Sequence, residues 1–475
     1  MKLHPRRSLS LLLLGLGAAA SAARAADPLP PPASEGGRVA AEAAWLSADP
    51  DHLVRHDLAG DRFYFGGQEN VVLQMHPGFR SPYEGEHSLG ARRDAAVFSI
   101  GTLYFAARPL PYTEIMVAPE MAAGSGLSDA VGMAGFSDVD VVRTPDLGSD
   151  PYVGRLVLHQ TIPLSDEEVD NPALGPLSTR ARVPAHRLEL HFGKMSIVDF
   201  FDLNAIGSDS HFQFLNWTTV NDGAYDYAAD TRGYTYAAVL EYQGPLFAAR
   251  VGEALMPKLA NGVDLDYHLT RAHAENVELE VHGRTFGERS GAARLLGWMN
   301  HANMGSYRLS RERFEDGLDA RPDITASRRP GRVKVGAGLN VEQEVTASVR
   351  AFARLGWNDD REESFAYTEV GDTLQAGLDV RGDLWGRERD KLGLTFTSNG
   401  LGVEHRRYLA RGGLGFILGD GALAYGREDI AEAYYTVRLG YGVSLGPDIQ
   451  WIENPGYNRD RGPVVVFSLR FHLEL

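Results

Sequence analysis

The final residues of the chain, Val464 to Leu475, read V-V-V-F-S-L-R-F-H-L-E-L. Val465, Phe467, Leu469, Phe471, Leu473 and Leu475 are apolar, and Ser468, Arg470, His472 and Glu474 between them are polar. This alternation describes a strand with one apolar face and one wet face. A strand this long and apolar makes a poor edge for a soluble sheet, because its unpaired backbone groups template aggregation. A closed barrel in a membrane has the opposite requirement. Its last strand pairs with its first, so that no backbone group meets lipid unpaired. The stretch therefore reads as the closing strand of a transmembrane barrel; a strand of a secreted sandwich is the competing reading.

The same pattern recurs upstream. Candidate strands lie near Arg62–Met75, Ala96–Ala106, Thr113–Met121, Arg155–Ile162, Arg187–Ile197, Tyr234–Gln243, Pro245–Leu255 and His273–Arg284. Others lie near Ala292–Asn303, Arg332–Gln343, Val345–Trp357, Asp372–Leu384, Asp390–Ser398, Glu432–Tyr441 and Gly442–Glu453. With the last stretch they make about sixteen, an even number, as single-chain bacterial barrels have. In one of them Val333, Val335, Ala337, Leu339 and Val341 interleave with Arg332, Lys334, Gly336, Gly338, Asn340 and Glu342. In a membrane the first set would face lipid and the second water.

Connection lengths support the barrel independently. Tight junctions at 108–111, 243–245, 343–345 and 441–442 alternate with long ones at 76–95, 123–154, 198–233, 303–331 and 399–431. Barrels of this kind have short periplasmic turns and long outer loops, whereas a sandwich has no reason to sort loops by parity. One connection on the short side, Pro163 to His186, is long and proline-rich.

The chain has 475 residues, no cysteine and a mean hydropathy of −0.24. The absence of cysteine excludes disulfides, thiolate catalysis and thiolate metal sites. Residues 1–25 carry Lys2, Arg6 and Arg7, an apolar run from Leu9 to Ala20, and Ala23-Arg24-Ala25. They read as a secretory signal peptide. Its removal takes away four basic groups, moving the net charge from −16 to −20, which argues against nucleic acid as a partner. Residues 26–60 are expected to be a periplasmic segment with a short helix over Gly37–Leu46, and residues 61–475 the barrel.

The third long connection, Val198 to Gly233, carries Phe212, Phe214, Trp217, Tyr225 and Tyr227 beside Asn216, Asn221, Asp222, Asp226, Asp230 and Arg232. A loop this aromatic does not stay splayed in water. The barrel interior is the available place for it, where it would narrow the channel. Aromatic rings offer flat apolar faces to the C–H side of a pyranose, and Asp, Asn and Arg satisfy hydroxyls. Asn216, Trp217, Asp222, Tyr225, Asp226, Tyr227, Asp230 and Arg232 are therefore the candidate constriction residues; the plainer role for the rings is to anchor the loop.

This loop, F-L-N-W-T-T-V-N-D-G-A-Y-D-Y-A-A-D-T-R-G-Y-T-Y (Phe214–Tyr236), resembles the carbohydrate-selective outer-membrane porins, the OprB-like family. The resemblance extends to H-P-G-F-R-S-P-Y (His76–Tyr83), G-L-S-D-A-V-G-M-A-G-F (Gly126–Phe136) and G-K-M-S-I-V-D-F-F-D (Gly193–Asp202). It continues through A-R-L-G-W-N-D (Ala353–Asp359), R-R-Y-L-A-R-G-G-L-G-F-I-L-G-D-G (Arg406–Gly421) and N-P-G-Y-N-R-D-R-G-P-V (Asn454–Val464). One departure is the terminal Leu475, where such barrels usually end in an aromatic residue. The resemblance implies an all-β, antiparallel, up-and-down barrel of sixteen strands that passes sugars into the periplasm, with no cofactor. Its expected surroundings are outer-membrane lipid and lipopolysaccharide, and its folding partner the barrel-assembly machinery; both a monomer and a trimer are compatible.

By strand parity Arg250, Arg350, Arg354, Arg381, Arg438 and Arg470 point into the lumen, opposite Glu278, Glu280 and Asp379. Charges of one sign on one wall and of the other sign opposite would set a transverse field. None of the fifteen histidines has the H-E-x-x-H spacing, and His405 reads as a loop hydrogen bonder. Asp359-Asp360-Arg361-Glu362-Glu363 is either a solvated acidic loop or a cation site bridging lipopolysaccharide. An enzymatic barrel would require a nucleophile and base; Ser210-His211, adjacent in sequence, are poorly placed for that. The alternatives to a sugar channel are a general small-solute porin and a non-conducting binding or adhesion barrel.

Overall fold

The computed structural model describes residues 62–475, apart from 144–146, 172 and 287. The expected signal peptide and the helix over Gly37–Leu46 lie outside the described residues.

The described residues form eighteen strands. They are β1 (Phe63–His76), β2 (Asp94–Leu110), β3 (Thr113–Gly124), β4 (Tyr152–Pro163), β5 (Glu168–Asp170), β6 (Arg182–Pro184), β7 (Arg187–Met195), β8 (Thr235–Gln243) and β9 (Phe247–Leu255). The second half comprises β10 (His273–Phe286), β11 (Arg289–Met304), β12 (Arg329–Glu344), β13 (Val349–Asn358), β14 (Asp372–Arg381), β15 (Lys391–Gly400), β16 (Glu428–Gly440), β17 (Val443–Glu453) and β18 (Val464–Glu474). Sixteen of them form one closed antiparallel barrel, each pairing with its sequence neighbour; β5 and β6 pair only with each other. That small ribbon occupies the long connection on the short-turn side.

The barrel closes between β1 and β18, where Val72 faces Arg470 and Leu73 faces Leu469. On β18, Phe467, Leu469 and Phe471 are exposed, while Ser468, Arg470 and His472 are buried. This is the partition expected from the alternation, and it recurs on the other strands. Leu158, Phe192, Leu240, Val251, Leu339, Leu355 and Phe396 all face outward. Exposed aromatic side chains mark both rims: Tyr236, Trp357 and Trp451 near the long loops, and Phe63, Phe247, Trp385 and Tyr441 near the short turns. An apolar belt between two aromatic girdles is the surface of a barrel solvated by lipid. No helix among the described residues is long and apolar enough to cross a membrane.

The turns follow backbone chemistry. Between β16 and β17, Tyr441 and Gly442 have φ of 54° and 72°. A two-residue turn with both φ positive matches the right-handed twist of its strands. At Gly442 a β-carbon would also collide with the Glu474 carbonyl of β18.

The principal apolar core lies inside the ring. It joins inward positions such as Met116, Val157 and Trp298 to loop residues Phe136, Trp217, Tyr225, Tyr367 and Tyr408. Among the described residues, three short α-helices sit in the long connections: α1 (Trp217–Val220), α2 (Tyr307–Glu315) and α3 (Val403–Ala410).

Candidate functional site

The third long connection, residues 196–234, leaves β7 and rests on inward side chains of the opposite wall. It opens with a capping box between Ser196 and Asp199, and the Asp199 carboxylate receives two 2.7 Å bonds from Arg155 of β4. The wall then supplies donors to its backbone. Arg354 of β13 donates to the carbonyls of Thr219 at 2.9 Å and Asp202 at 3.2 Å, and to Ser208 Oγ at 2.7 Å. Gln375 of β14 donates to Asn221 O at 2.8 Å, Asn358 of β13 to Ala224 O at 2.8 Å, and Asn300 of β11 to Asp226 O at 2.5 Å. Wall acceptors answer the loop's donors: Glu432 takes Leu215 N–H at 2.5 Å and Glu342 takes Ala205 N–H at 2.6 Å. Buried backbone groups left unpaired would each cost about 1–3 kcal/mol, so this dense pairing is what allows an irregular segment to lie inside a barrel.

The candidate constriction residues are brought together, though mostly against protein. Asn216 caps α1, accepting from Thr218 N at 3.0 Å, and its amide reaches Gln450 of β17 at 3.0 Å. The Trp217 ring stacks on Tyr367 (5.0 Å between centroids, 15°) and packs on Phe136, and its indole N–H donates to Asp138 O at 2.9 Å. Tyr227 packs on the same Tyr367 at 4.5 Å, and the Tyr225 hydroxyl donates to Asn276 at 2.7 Å. The Asp226 carboxylate accepts from the backbone N–H groups of Phe365, Ala366 and Tyr367 and lies 3.1 Å from Lys334 Nζ. Asp230 accepts from the N–H groups of Arg232 and Tyr234, closing the turn, and burial raises it above the usual carboxylate range. Asp222 is buried beside Asp202; burial first, and that neighbouring acid second, push its carboxyl up to about 8.

Arg232 differs. It is half-buried, lies 4.2 Å above the Tyr152 ring, and lines a cavity of about 270 Å³ with Phe98, Gly124, Val142 and Ser149. A smaller cavity of about 50 Å³ shares Val142 and Arg232 and is bordered by Trp217, Tyr227, Asp230 and Tyr367. Four of the eight candidates thus meet at one place.

The lumen charges are not sorted into opposed walls; they pair with neighbours along the wall. Arg250 of β9 contacts Glu241 of β8, and Glu278 and Glu280 of β10 at 2.7 and 2.8 Å. Arg294 of β11 continues the row to Glu280 (3.0 Å) and Glu342 (2.7 Å). Arg350 pairs with Asp379, and Arg438 lies 3.7 Å from Glu474 and 3.9 Å over the Phe212 ring. Arg354 pairs with Asp202, Arg470 donates to Gln213 O at 2.9 Å, and Arg381 sits half-buried at the short-turn end of β14. Adjacent opposite charges cancel at range, so the transverse field expected from parity gives way to a belt of local ion pairs. The wall donors Asn358 and Gln375, and the partners Glu241, Arg294 and Glu342, were given no role from the sequence. Their signal was their inward parity.

Three acids of the stretch Asp359–Glu363 are paired within the protein. Glu362 meets Arg332 at 3.2 Å, Glu363 meets Arg328 at 2.7 Å, and Asp360 lies 3.0 Å from His405 Nδ1. His405 stands on α3 and stacks on Tyr307 of α2 (3.8 Å, 10°). It binds helices and loops together as an internal hydrogen bonder. Ser210 and His211 both face Asp140.

Residues 166–475 match the profile of the carbohydrate-selective porin, OprB family. The chain belongs to this family. It is an outer-membrane porin of a Gram-negative bacterium, a channel protein and not an enzyme. The high-pH structure of Pseudomonas putida OprB is similar at 16% identity, covering 87% of this chain and 94% of that one with a TM-score of 0.64, and so shares the fold. The low-pH structure of the same protein aligns at 12% identity over 87% and 93% (TM-score 0.45). The Acinetobacter baumannii outer-membrane channel DcaP aligns at 10% over 87% and 97% (TM-score 0.47). No curated protein sequence matches the chain.

Proposed function

We propose that this OprB-family porin is a passive, sugar-selective channel for mono- or oligosaccharides moving into the periplasm. The observation that carries this reading is the cavity of about 270 Å³ lined by Tyr152 and Arg232, which shares Arg232 with the smaller one bordered by Trp217, Tyr227 and Asp230. Aromatic side chains beside a guanidinium and a carboxylate supply both kinds of contact a pyranose needs. Asn216, Asp222, Tyr225 and Asp226 act one step back, holding the third loop in position.

The test is single-channel current of the refolded mature protein in planar bilayers, titrated with glucose and with a maltodextrin. Sugar block in the unsubstituted protein, weakened in Arg232→Ala and Trp217→Ala, supports the reading. Open current without block makes the protein a general small-solute porin. No current makes it a binding or adhesion barrel.

A further inference from the structure

Three inward positions on neighbouring strands stand in register: Glu114 of β3 opposite His159 of β4, and His159 opposite His191 of β7. Glu189 lies two residues before His191, on the same inward face of β7. The two imidazoles stack at 4.2 Å and 12°. All four residues are buried. One donor atom each of His159, Glu189 and His191 lies within 4.8 Å of the other two.

Nε2 of His159 and Nδ1 of His191 are buried and make no hydrogen bond. A buried ring nitrogen without a partner is costly, and two of them lie beside one carboxylate, Glu189 Oε1 being 3.9 Å from His159 Nε2. The other end of His159 is already oriented: its Nδ1 is 2.9 Å from Glu114 Oε2. Glu114 is in turn held by the N–H of Thr179 at 2.7 Å and its hydroxyl at 2.5 Å. A carboxylate behind an imidazole fixes the ring and strengthens it as a ligand.

We infer that His159, His191 and Glu189 bind one divalent transition-metal ion of the zinc class, with Glu114 as the positioning residue. Two imidazoles and a carboxylate suit zinc or its neighbours in the first transition row, whereas calcium and magnesium take oxygen ligands. Zinc holds imidazole nitrogen at about 2.0–2.1 Å in the plane of each ring, so on binding the two rings would turn out of their parallel stack and toward the Glu189 carboxylate. Arg187 Nε is 2.7 Å from Glu189 Oε1, which is also 3.9 Å from His159 Nε2; the ion would share this carboxylate with Arg187. Because Thr179 belongs to the periplasmic connection, the bound ion would tie β4 and β7 to the segment at the periplasmic mouth.

The experiment uses the full mature protein in detergent, stripped with chelator and titrated with cobalt(II) as a spectroscopic probe, then with zinc as competitor. The expected result is one cobalt per chain with imidazole-ligand absorption, displaced by zinc. His159→Asn and His191→Asn should abolish it, and Glu114→Gln should weaken it about 10- to 100-fold. A second cluster, His273, Glu275 and His301, lies on the outward face near the long loops; His273→Asn should leave the signal intact. Absence of cobalt binding, or binding unchanged in His191→Asn, overturns the proposal. Should the substituted barrels misfold, zinc protection of His159 and His191 from diethylpyrocarbonate in the unsubstituted protein decides it: equal modification with and without zinc overturns the site.

Discussion

The carboxyl of Asp222 rests against Gly356, in space that a side chain on β13 would otherwise occupy. A β-carbon on Gly356 would overlap Asp222 Oδ1, and one on its cross-strand partner Gly338 would lie 2.5 Å from Oδ2. The two glycines make a notch in the inner wall, and the third loop is keyed into it. Gly356→Ala should therefore unseat the loop without opening the barrel, at an overpacking cost of about 1–3 kcal/mol. Larger and noisier single-channel currents, with an unchanged heat-modifiable band on gels, are the expected outcome.

The same carboxyl makes loop docking depend on pH. Asp222 holds its proton up to about 8 in the folded protein, whereas in an unfolded chain it releases it near about 4. Between those values the folded state binds more protons, so stability falls as pH rises and levels off above the folded value. Current noise from the loop should grow from pH 6 to pH 9. Asp222→Asn, which cannot ionise, should flatten that contribution. Glu369, pushed up to about 7 by burial against the pull of His405, adds a second contribution of the same sign in the outer loops.

Arg354 is the chief wall donor to this loop, and its loss should be felt more than that of any exposed charge. Arg354→Met removes donors from Thr219 O, Asp202 and Ser208 at once. Breaking one side of a buried ion pair costs about 3–5 kcal/mol. Limited proteolysis between Asp202 and Ser210 should become fast in the variant while the strands stay protected.

The outer face obeys the reverse rule. Leu469 faces outward in the apolar belt of β18, one residue from buried Arg470. Leu469→Arg should cost about 2–4 kcal/mol if it lies at bilayer mid-depth. Urea titration of folding into lipid vesicles would read this as a lower midpoint.

The strands were legible because one physical cause, a face in lipid and a face in water, writes a period of two into each of them. Residues such as Val333 to Glu342 carry it undisturbed. The ribbon of β5 and β6 was not foreseen, since three-residue strands are too short to show a period. In the third loop the sequence revealed residue types but not their partners. Trp217 meets Tyr367 of a distant loop, and no local pattern encodes that stack. Parity assigns the wall charges to a face but gives them no partners; Arg250 and Glu278 are neighbours because the register of adjacent strands decides who touches whom.

The seam between β1 and β18 bears on how such a molecule comes into being. Val72 and Arg470 are neighbours in space but lie near opposite ends of the described chain. Every incomplete intermediate consequently carries two raw edges, and the entropy of bringing them together is met only at the final step. Assembly should be a slow, all-or-none annealing of one seam, during which those edges must be shielded from other chains.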